Sequence, residues 1–409
     1  MTGKRRLRKL WHVLRRRRGA DSVTPERLVV EKAVWLHDAS SPVMLMIDDL
    51  TNAWHSRSGA SIWEPGGDWG GGLNKPGSAL QFLEEQLLRD FPETKITFFV
   101  VAGPISAYTH HQPFSHVASL DADPESRRFF GSLCADSRFE LAYHGFNHGT
   151  PAARTEDFVQ EWRGFDARES AITQTQRGLE IFRRATGHVP QGGKYGGWDY
   201  NGFADAGVND CGFLWWCRDW MPRDVTGTVP DSYYEPQFFG SRFVVALPST
   251  VHGHFWHRQQ IDLLLARQQL ISIEEHIAPI RPDGLIQTPN IVDDVQELRA
   301  LYKYLRGRNV WHATGSEIAS YVIAREQSVV YDITRDGFTL RYQGSIERPL
   351  LTFRIDASAV CSPAQPLIEV VAPNGEVADA AACRSDTKSY SHVVTVPAMD
   401  GRYQVRPKG

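Results

Sequence analysis

The sequence has few cysteines, no long apolar run and little net charge, and each shortage argues against a class of protein. Its 409 residues include only five cysteines, which lack the paired spacing of a structural zinc site. Such sparse cysteines favour a reducing, cytoplasmic compartment over a disulfide-rich secreted scaffold. No run of about 18 apolar residues occurs, so no membrane-spanning helix is predicted.

Charge is distributed unevenly along the chain. The formal net charge is -3, but residues 1–18 contain nine lysines or arginines and no acidic residue, which leaves -12 for the remainder. A mildly acidic body gives no electrostatic reason to expect nucleic acid in its main cleft. The hydrophobic fraction of 42% is ordinary for a soluble globular protein.

Residues 1–25 are predicted to form a basic N-terminal arm. The arm begins like a signal peptide, but the basic run 15–18 interrupts the apolar segment that cleavage requires, so we expect it to be uncleaved. Leu7, Leu10, Trp11 and Leu14 have helical spacing on one face. A basic helix with one apolar stripe can lie on an anionic membrane surface, here the inner face. A solvated, disordered arm fits the sequence equally well.

Residues 26–326 alternate short apolar runs with longer amphipathic stretches. This order predicts βα units, a parallel sheet and an α/β fold of the distorted (β/α) barrel type, with the chemistry at the carboxyl ends of the strands. The expected strands are Val43–Ile47, Ile96–Val101, Phe139–Tyr143, Gly212–Trp216, Phe243–Leu247, Leu270–Ile273 and Val310–His312, and the expected helices include Ser78–Asp90, Thr155–Thr186, Gln259–Gln269 and Val292–Arg306.

Residues 327–409 have a different pattern. Short β-rich runs are separated by turn sequences such as Asp336-Gly337 and Asp400-Gly401, with no helical pattern between them. A small antiparallel β-sandwich is therefore predicted as an accessory domain. It contains no cluster of catalytic residue types.

Two short motifs follow predicted strands directly. Asp48 and Asp49 come after the first strand, and two adjacent carboxylates are costly there unless a cation neutralises them. His144 and His148 follow the third strand, and two imidazoles four residues apart can share a metal ion. Taken singly, a solvated turn or a chance histidine pair explains each motif better. Their shared position at strand ends instead predicts a catalytic site with Asp49, His144 and His148 as metal ligands.

The strings MIDDL and HGFNH, followed by a late strand-end histidine, resemble the polysaccharide deacetylase family, carbohydrate esterase family 4. The resemblance covers residues 40 to 325. Within the family, the sequence looks most like a branch found in surface-polysaccharide or O-antigen biosynthesis. It implies a barrel with a metal site of two histidines and one aspartate. It also implies a hydrolase that acts on carbon–nitrogen bonds other than peptide bonds.

The family pattern assigns further residues by position in the motifs. Asp48 matches the catalytic base. The segment around Lys194 and Trp198 matches the third motif, which normally supplies an arginine that positions the base. A lysine keeps the charge but loses the bidentate geometry, so its supporting role is open. Asp219 and Trp220 resemble the fourth motif, which lines the pocket.

The resemblance also implies a mechanism. One divalent ion, zinc first and cobalt, nickel or manganese as alternatives, would activate water for attack on an amide, with Asp48 as base. His276 matches the acid that protonates the leaving amine, and a histidine suits this role near neutral pH. His252 and His254 also follow a strand and are alternative acids.

The expected substrate is an N-acetylated glycan or glycolipid. Several tryptophans lie near strand ends, and aromatic faces stack on sugar rings, although we expect at least one of Trp215 and Trp216 to belong to the core. Two alternatives stay open: a catalytically inactive carbohydrate-binding protein, and an amidohydrolase of a small non-sugar amide.

Overall fold

The computed structural model describes residues 26–54, 78–106, 116–150, 152–218, 231–277, 287–361, 367–384 and 390–408. The predicted basic arm, Asp219 and Trp220 therefore lie outside the described residues. Within the described residues, no helix combines the length and the apolar character that crossing a membrane requires. The chain divides into a larger unit, residues 34–327 with 344–350, and a smaller unit formed from the remaining segments.

The larger unit is built on one long, mostly parallel sheet. Its strands are β2 (Ser41–Leu50), β4 (Ile96–Val101), β6 (Phe139–Gly145), β9 (Gly192–Lys194), β10 (Trp215–Cys217), β11 (Gln237–Phe239), β12 (Val244–Ala246), β13 (Val251–His252), β14 (Ile271–His276) and β15 (Val310–His312). Their spatial order is β11-β12-β10-β9-β6-β4-β2-β14-β13, and β15 also pairs with β2. Only the β11–β12 pair is antiparallel among these ladders. The α/β architecture predicted from the alternating pattern is confirmed.

Short antiparallel strand pairs begin shortly after β2 and β6 in the chain. They are β3 (Asn52–Trp54) with β5 (His116–Ala118), and β7 (Gly149–Thr150) with β8 (Val159–Gln160). The helices are α1 (Ala79–Leu83, continued by a π-helical turn Glu84–Leu88), α2 (Pro124–Ala135), α3 (Arg168–Thr186), α4 (Gly202–Asp210), α5 (Arg258–Arg267), α6 (Val295–Leu305) and α7 (Gly315–Glu326).

Burial explains why the central strands read as continuous apolar runs. Residues 43–47 of β2 and all of β4 are buried. A parallel strand covered on both faces needs apolar side chains on both, and alternation is lost. The strand predicted at Ile96–Val101 has the same first and last residues as β4. The strand predicted to end at Ile273 continues three residues further, because β14 ends at His276.

One predicted helix is shorter than expected. After a short 3-10 turn at Thr155–Asp157, the stretch Thr155–Thr186 forms an α-helix only from Arg168, because residues 159–160 pair with β7 and Trp162 is buried in the core. Helix α3 ends at Gly187, whose φ of 79° gives the left-handed cap that glycine adopts at low cost. Helix α2 was missed, although Asp123 caps its N-terminus and Pro124 occupies its first turn, a recognisable start signal.

The smaller unit contains two antiparallel sheets. Their strands are β1 (Val29–Lys32), β16 (Ser328–Tyr331), β17 (Gly337–Tyr342), β18 (Leu350–Asp356), β19 (Ile368–Val371), β20 (Val377–Asp379), β21 (Ala381–Arg384), β22 (Tyr390–Pro397) and β23 (Gly401–Pro407). One sheet has the order β1-β18-β22-β21 and the other the order β16-β17-β23-β19-β20.

Aromatic rings join the two sheets of the smaller unit. Phe338 of β17 stacks on Tyr403 of β23 at 5.2 Å between centroids, and lies 5.0 Å from Phe353 of β18. Strand β1 pairs with β18, so residues 29–32 belong to this unit and not, as predicted, to the barrel. Residues 29–32 are extended because they form an edge strand beside β18, which is distant from them in the sequence.

Candidate metal centre and catalytic site

A bulge at the end of β2 turns two successive carboxylates towards one cavity. Adjacent side chains of a regular strand point to opposite faces. The register between β2 and β4 shifts between Ile47 and Leu50, and Asp49 has a φ of 65°. This irregular backbone allows Asp48 and Asp49 to line the same cavity. Sequence placed the pair at a strand end, but only the bulge explains their common direction.

The histidine motif begins in the last residues of β6, which include His144, and continues into the loop that carries His148. His148 has a φ of 71° and Gly145 one of 143°, so the backbone turns sharply between the two imidazoles. The buried carboxylate of Glu161 accepts hydrogen bonds from the backbone N–H groups of Phe146, Asn147 and His148, each at 2.8 Å. Glu161 therefore holds the loop in shape. Sequence reasoning missed it, because nothing in the chain links position 161 to the motif.

The three predicted ligands come together. Asp49 Oδ1 lies 3.4 Å from His144 Nε2 and 3.2 Å from His148 Nε2. These separations match the edge of about 3.3 Å of a tetrahedron whose ligands lie about 2.0–2.1 Å from a central ion. Asp49 Oδ1 is buried and has no hydrogen-bond partner, a costly arrangement that a cation would relieve.

The tautomer of His144 also fits a metal ligand. Its Nδ1 lies 3.0 Å from the backbone carbonyl of Lys194, which can only accept a hydrogen bond. Nδ1 therefore carries the proton, and the lone pair of Nε2 points towards Asp49. In addition, the indole N–H of Trp162 donates to the backbone carbonyl of His144 at 2.9 Å and fixes that residue from the other side. The donor set and its geometry thus fit a divalent ion.

The electrostatics of the three candidate ligands favour a negative charge on Asp49 and a positive charge on His148. Burial by itself would raise the pKa of Asp49, but the nearby charge of the His148 imidazole holds that pKa well below its usual value. Burial would lower the pKa of His148, and the charge of Asp49 raises it instead. The carboxylate is therefore ionised and available as a ligand at neutral pH.

Lys194 pairs with the predicted base. Its Nζ lies 2.5 Å from Asp48 Oδ2 and 2.9 Å from Glu274 Oε1, and the lysine is fully buried. Burial would lower the pKa of Lys194, but the charges of Asp48 and Glu274 raise it far above the usual range. The Lys194 ammonium thus contacts the carboxylates of Asp48 and Glu274 together. Glu274, its second partner, was not singled out by the sequence.

His276 lies directly opposite Asp48 in the β2–β14 ladder. Its Nε2 is 3.9 Å from Asp48 Oδ2, and its Nδ1 donates to the carbonyl of Pro289 at 2.9 Å. Of the two alternative acids, His252 lines the same cavity. His254 does not, and its Nδ1 pairs closely with Asp294. His276 is thus the histidine shown to lie beside Asp48, and its role as the acid stays a prediction.

A cavity of about 500 Å³ opens above these residues. It is lined by Asp48, Asp49, His144, His148, Phe158, Gln160, Gly197, Trp198, His252, Glu274, His276 and residues 287–289. Among the described residues that line it, Trp198 is the only tryptophan, and its indole N–H donates to Glu274 at 3.0 Å. Trp215 and Trp216 are both fully buried core residues, so neither supports sugar stacking.

The chain matches no protein-family model and no curated protein. A Mycobacterium smegmatis structure described as a polysaccharide deacetylase is 15% identical, with a TM-score of 0.41 over 72% of this chain and 94% of that one. Another so described, from Pseudomonas aeruginosa PAO1, is 14% identical, with a TM-score of 0.43 over 71% and 93%. The Puue allantoinase is 13% identical, with a TM-score of 0.42 over 71% and 92%.

At these identities and TM-scores the likeness adds no weight to a choice of reaction or substrate. That choice depends on the arrangement of side chains in the cavity.

Proposed function

We propose that this protein is a metal-dependent hydrolase that removes the N-acetyl group from an amino sugar in a glycan or lipid-linked glycan. The observation that carries the proposal is the meeting of two sets of residues in one cavity. Asp49, His144 and His148 form a ligand set, while Asp48 and His276 lie beside it with 3.9 Å between Oδ2 and Nε2. A ligand set beside a base and an acid is the machinery of amide hydrolysis.

The ion would be held by the Asp49 carboxylate and the two Nε2 atoms. Two nitrogen ligands and one oxygen ligand favour zinc, with cobalt, nickel or manganese as alternatives. When bound, the ion supplies Lewis-acid chemistry, polarising an amide carbonyl and acidifying water.

The protein residues divide the proton transfers between them. Asp48, ion-paired with Lys194, accepts the proton of the attacking water. His276 donates a proton to the leaving amine, and its Nδ1 bond to Pro289 directs Nε2 towards Asp48. The two groups lie on adjacent strands with their reactive atoms 3.9 Å apart, so both can reach the same substrate amide group.

The size of the cavity supports a sugar substrate over a small amide. Ligand sites commonly enclose about 300–1,000 Å³, and the cavity here, at about 500 Å³, has space for a sugar ring as well as its acetamido group. The Trp198 side chain at its wall offers an aromatic surface for such a ring.

The test measures acetate release and metal content together. The purified chain is assayed by mass spectrometry on N-acetylglucosamine oligosaccharides and N-acetylated polysaccharides, before and after chelation and after zinc is restored. We expect acetate release that chelation abolishes and zinc restores, and loss of both zinc and activity in Asp49→Ala. Asp90→Ala, which changes an exposed aspartate outside the cavity, should retain both.

Two outcomes would overturn the proposal. Glycan binding without acetate release from the zinc-loaded chain would indicate an inactive carbohydrate-binding protein. Hydrolysis of simple amides but of none of the acetylated glycans would indicate an amidohydrolase of small substrates.

We further propose that residues 1–18 bring the protein to an anionic membrane surface, as a cytoplasmic enzyme acting on a lipid-linked substrate would require. The proposal is supported only by the nine basic residues and the apolar stripe of that segment.

A further inference from the structure

Glu274 lies within the site, although no motif points to it. It precedes His276 by two residues on β14, so both side chains emerge on the same face of the strand. The carboxylate is almost fully buried, and both its oxygens are engaged. Oε1 accepts from Lys194 Nζ at 2.9 Å and from the Trp198 indole N–H at 3.0 Å, and Oε2 lies 3.3 Å from the Ser249 hydroxyl, which donates to it.

These contacts place the Lys194 ammonium between two carboxylates. Asp48 Oδ2 is on one side at 2.5 Å, and Glu274 Oε1 is on the other at 2.9 Å. The face of Trp198 covers Nζ at 4.0 Å from the ring centroid. The ammonium is therefore bounded by two anions and an aromatic ring in a place without solvent access.

The chemistry of lysine explains why a second anion matters here. An arginine grips a carboxylate through two parallel hydrogen bonds and so fixes its own orientation. A lysine is a point charge on a flexible stem, and one carboxylate cannot define where its Nζ lies. A second fixed acceptor, tied to Trp198 and Ser249, supplies the missing constraint.

We propose that Glu274 is a positioning residue that holds the Lys194 ammonium against Asp48, replacing the geometric constraint that an arginine would provide. The consequence for catalysis rests on the proposed function, in which Asp48 is the base. The positioning itself is a property of the folded chain that can be tested separately.

The neighbouring Glu275 provides a matched control. It lies on the same strand, is fully buried and faces the opposite side from Glu274. Neither of its carboxylate oxygens has a hydrogen-bond partner. Glu275→Gln is the same chemical change one residue away, without a contact to Lys194.

The first experiment compares structures and does not depend on activity. Crystal structures of the zinc-loaded wild type, Glu274→Gln and Glu275→Gln are determined. In Glu274→Gln we expect Lys194 Nζ to leave Asp48 or to occupy several positions, and in Glu275→Gln to stay. A well-ordered Nζ still within hydrogen-bonding distance of Asp48 in Glu274→Gln would overturn the proposal, even if the wild type proves inactive on every glycan.

The second experiment measures kinetics on the N-acetylglucosamine oligosaccharide that the wild type hydrolyses. Replacing a supporting residue of this kind commonly lowers activity by about 10- to 100-fold. We expect Glu274→Gln to lower kcat by about that factor with little change in KM and in zinc content, and Glu275→Gln to leave kcat unchanged.

A double variant separates positioning from a direct role of Glu274. If Glu274 acts through Lys194, then Glu274→Gln should cause no further loss in a Lys194→Met background, because the group it positions is absent. Replacing Lys194 by Arg should restore most of the kcat lost in Glu274→Gln, since the guanidinium can orient itself on Asp48. Additive losses, or no rescue by arginine, would contradict the inference.

Discussion

Replacing Lys194 by methionine should destabilise the larger unit strongly. The substitution keeps the volume of the side chain but leaves Asp48 and Glu274 as buried carboxylates without their cation. At an effective dielectric constant of about 20, separations of 2.5 and 2.9 Å correspond to attractions of about 6 kcal/mol each. Desolvation offsets most of this, and losing one partner of a buried pair typically costs about 3–5 kcal/mol. We expect a loss in that range.

The pH dependence of this loss follows from the shifted pKa values. Burial would raise the pKa of Glu274, but Lys194 lowers it below the ordinary value of 4.5, so this stabilisation is present above that pH and is lost as pH falls through the folded pKa. The pKa of Lys194 is raised above 10.5, so its stabilisation is present below that pH. Without Lys194, burial alone acts on Glu274 and raises its pKa, so the cost of Lys194→Met should be smallest in acid, where the carboxyl is protonated, and should grow as the pH rises.

Urea unfolding in the presence of a chelator measures this effect without a contribution from metal binding. Tryptophan fluorescence reports on the same unit, because Trp215 and Trp216 are buried in its sheet. Lys95→Met is the control, since Lys95 pairs with Glu317 at a partly exposed site and should lose less than about 1 kcal/mol. An equal loss in both variants, or a loss at Lys194 below about 1 kcal/mol, would refute the reasoning.

Two further predictions concern the acid and the N-terminal arm. His276→Ala should lose most activity on acetylated oligosaccharides while retaining its zinc, and His254→Ala should keep both, because His254 pairs with Asp294 and does not line the cavity. Full turnover by His276→Ala would instead favour His252 or His254 as the acid. The full chain should co-sediment with anionic liposomes, whereas a chain lacking residues 1–18 should not; equal binding by the two would exclude a membrane role for the arm.

Local patterns predicted much of the larger unit. Continuous apolar runs marked the buried parallel strands, and the Asp48-Asp49 and His144/His148 pairs were placed correctly at the carboxyl ends of β2 and β6. Hydrophobic patterning could not show that the stretch Thr155–Thr186 contains a short strand, residues 159–160, before its α-helix, or that residues 29–32 join the smaller unit. In both cases the backbone conformation depends on the strand with which the segment pairs. For residues 29–32 that strand is β18, which is distant in the sequence, and for residues 159–160 it is β7, which no sequence pattern marks.

The sequence by itself determined the α/β alternation and the identities of the three metal-ligand candidates, because strand burial and histidine spacing are local properties. Only the tertiary structure decided how those ligands converge, since the bulge at Asp49 and the loop held by Glu161 arise from contacts between separate elements. It likewise decided the environment of the base. Lys194 and Glu274 are 80 residues apart, and their ion pair beside Asp48 exists only because the sheet brings β9 and β14 to the same cavity.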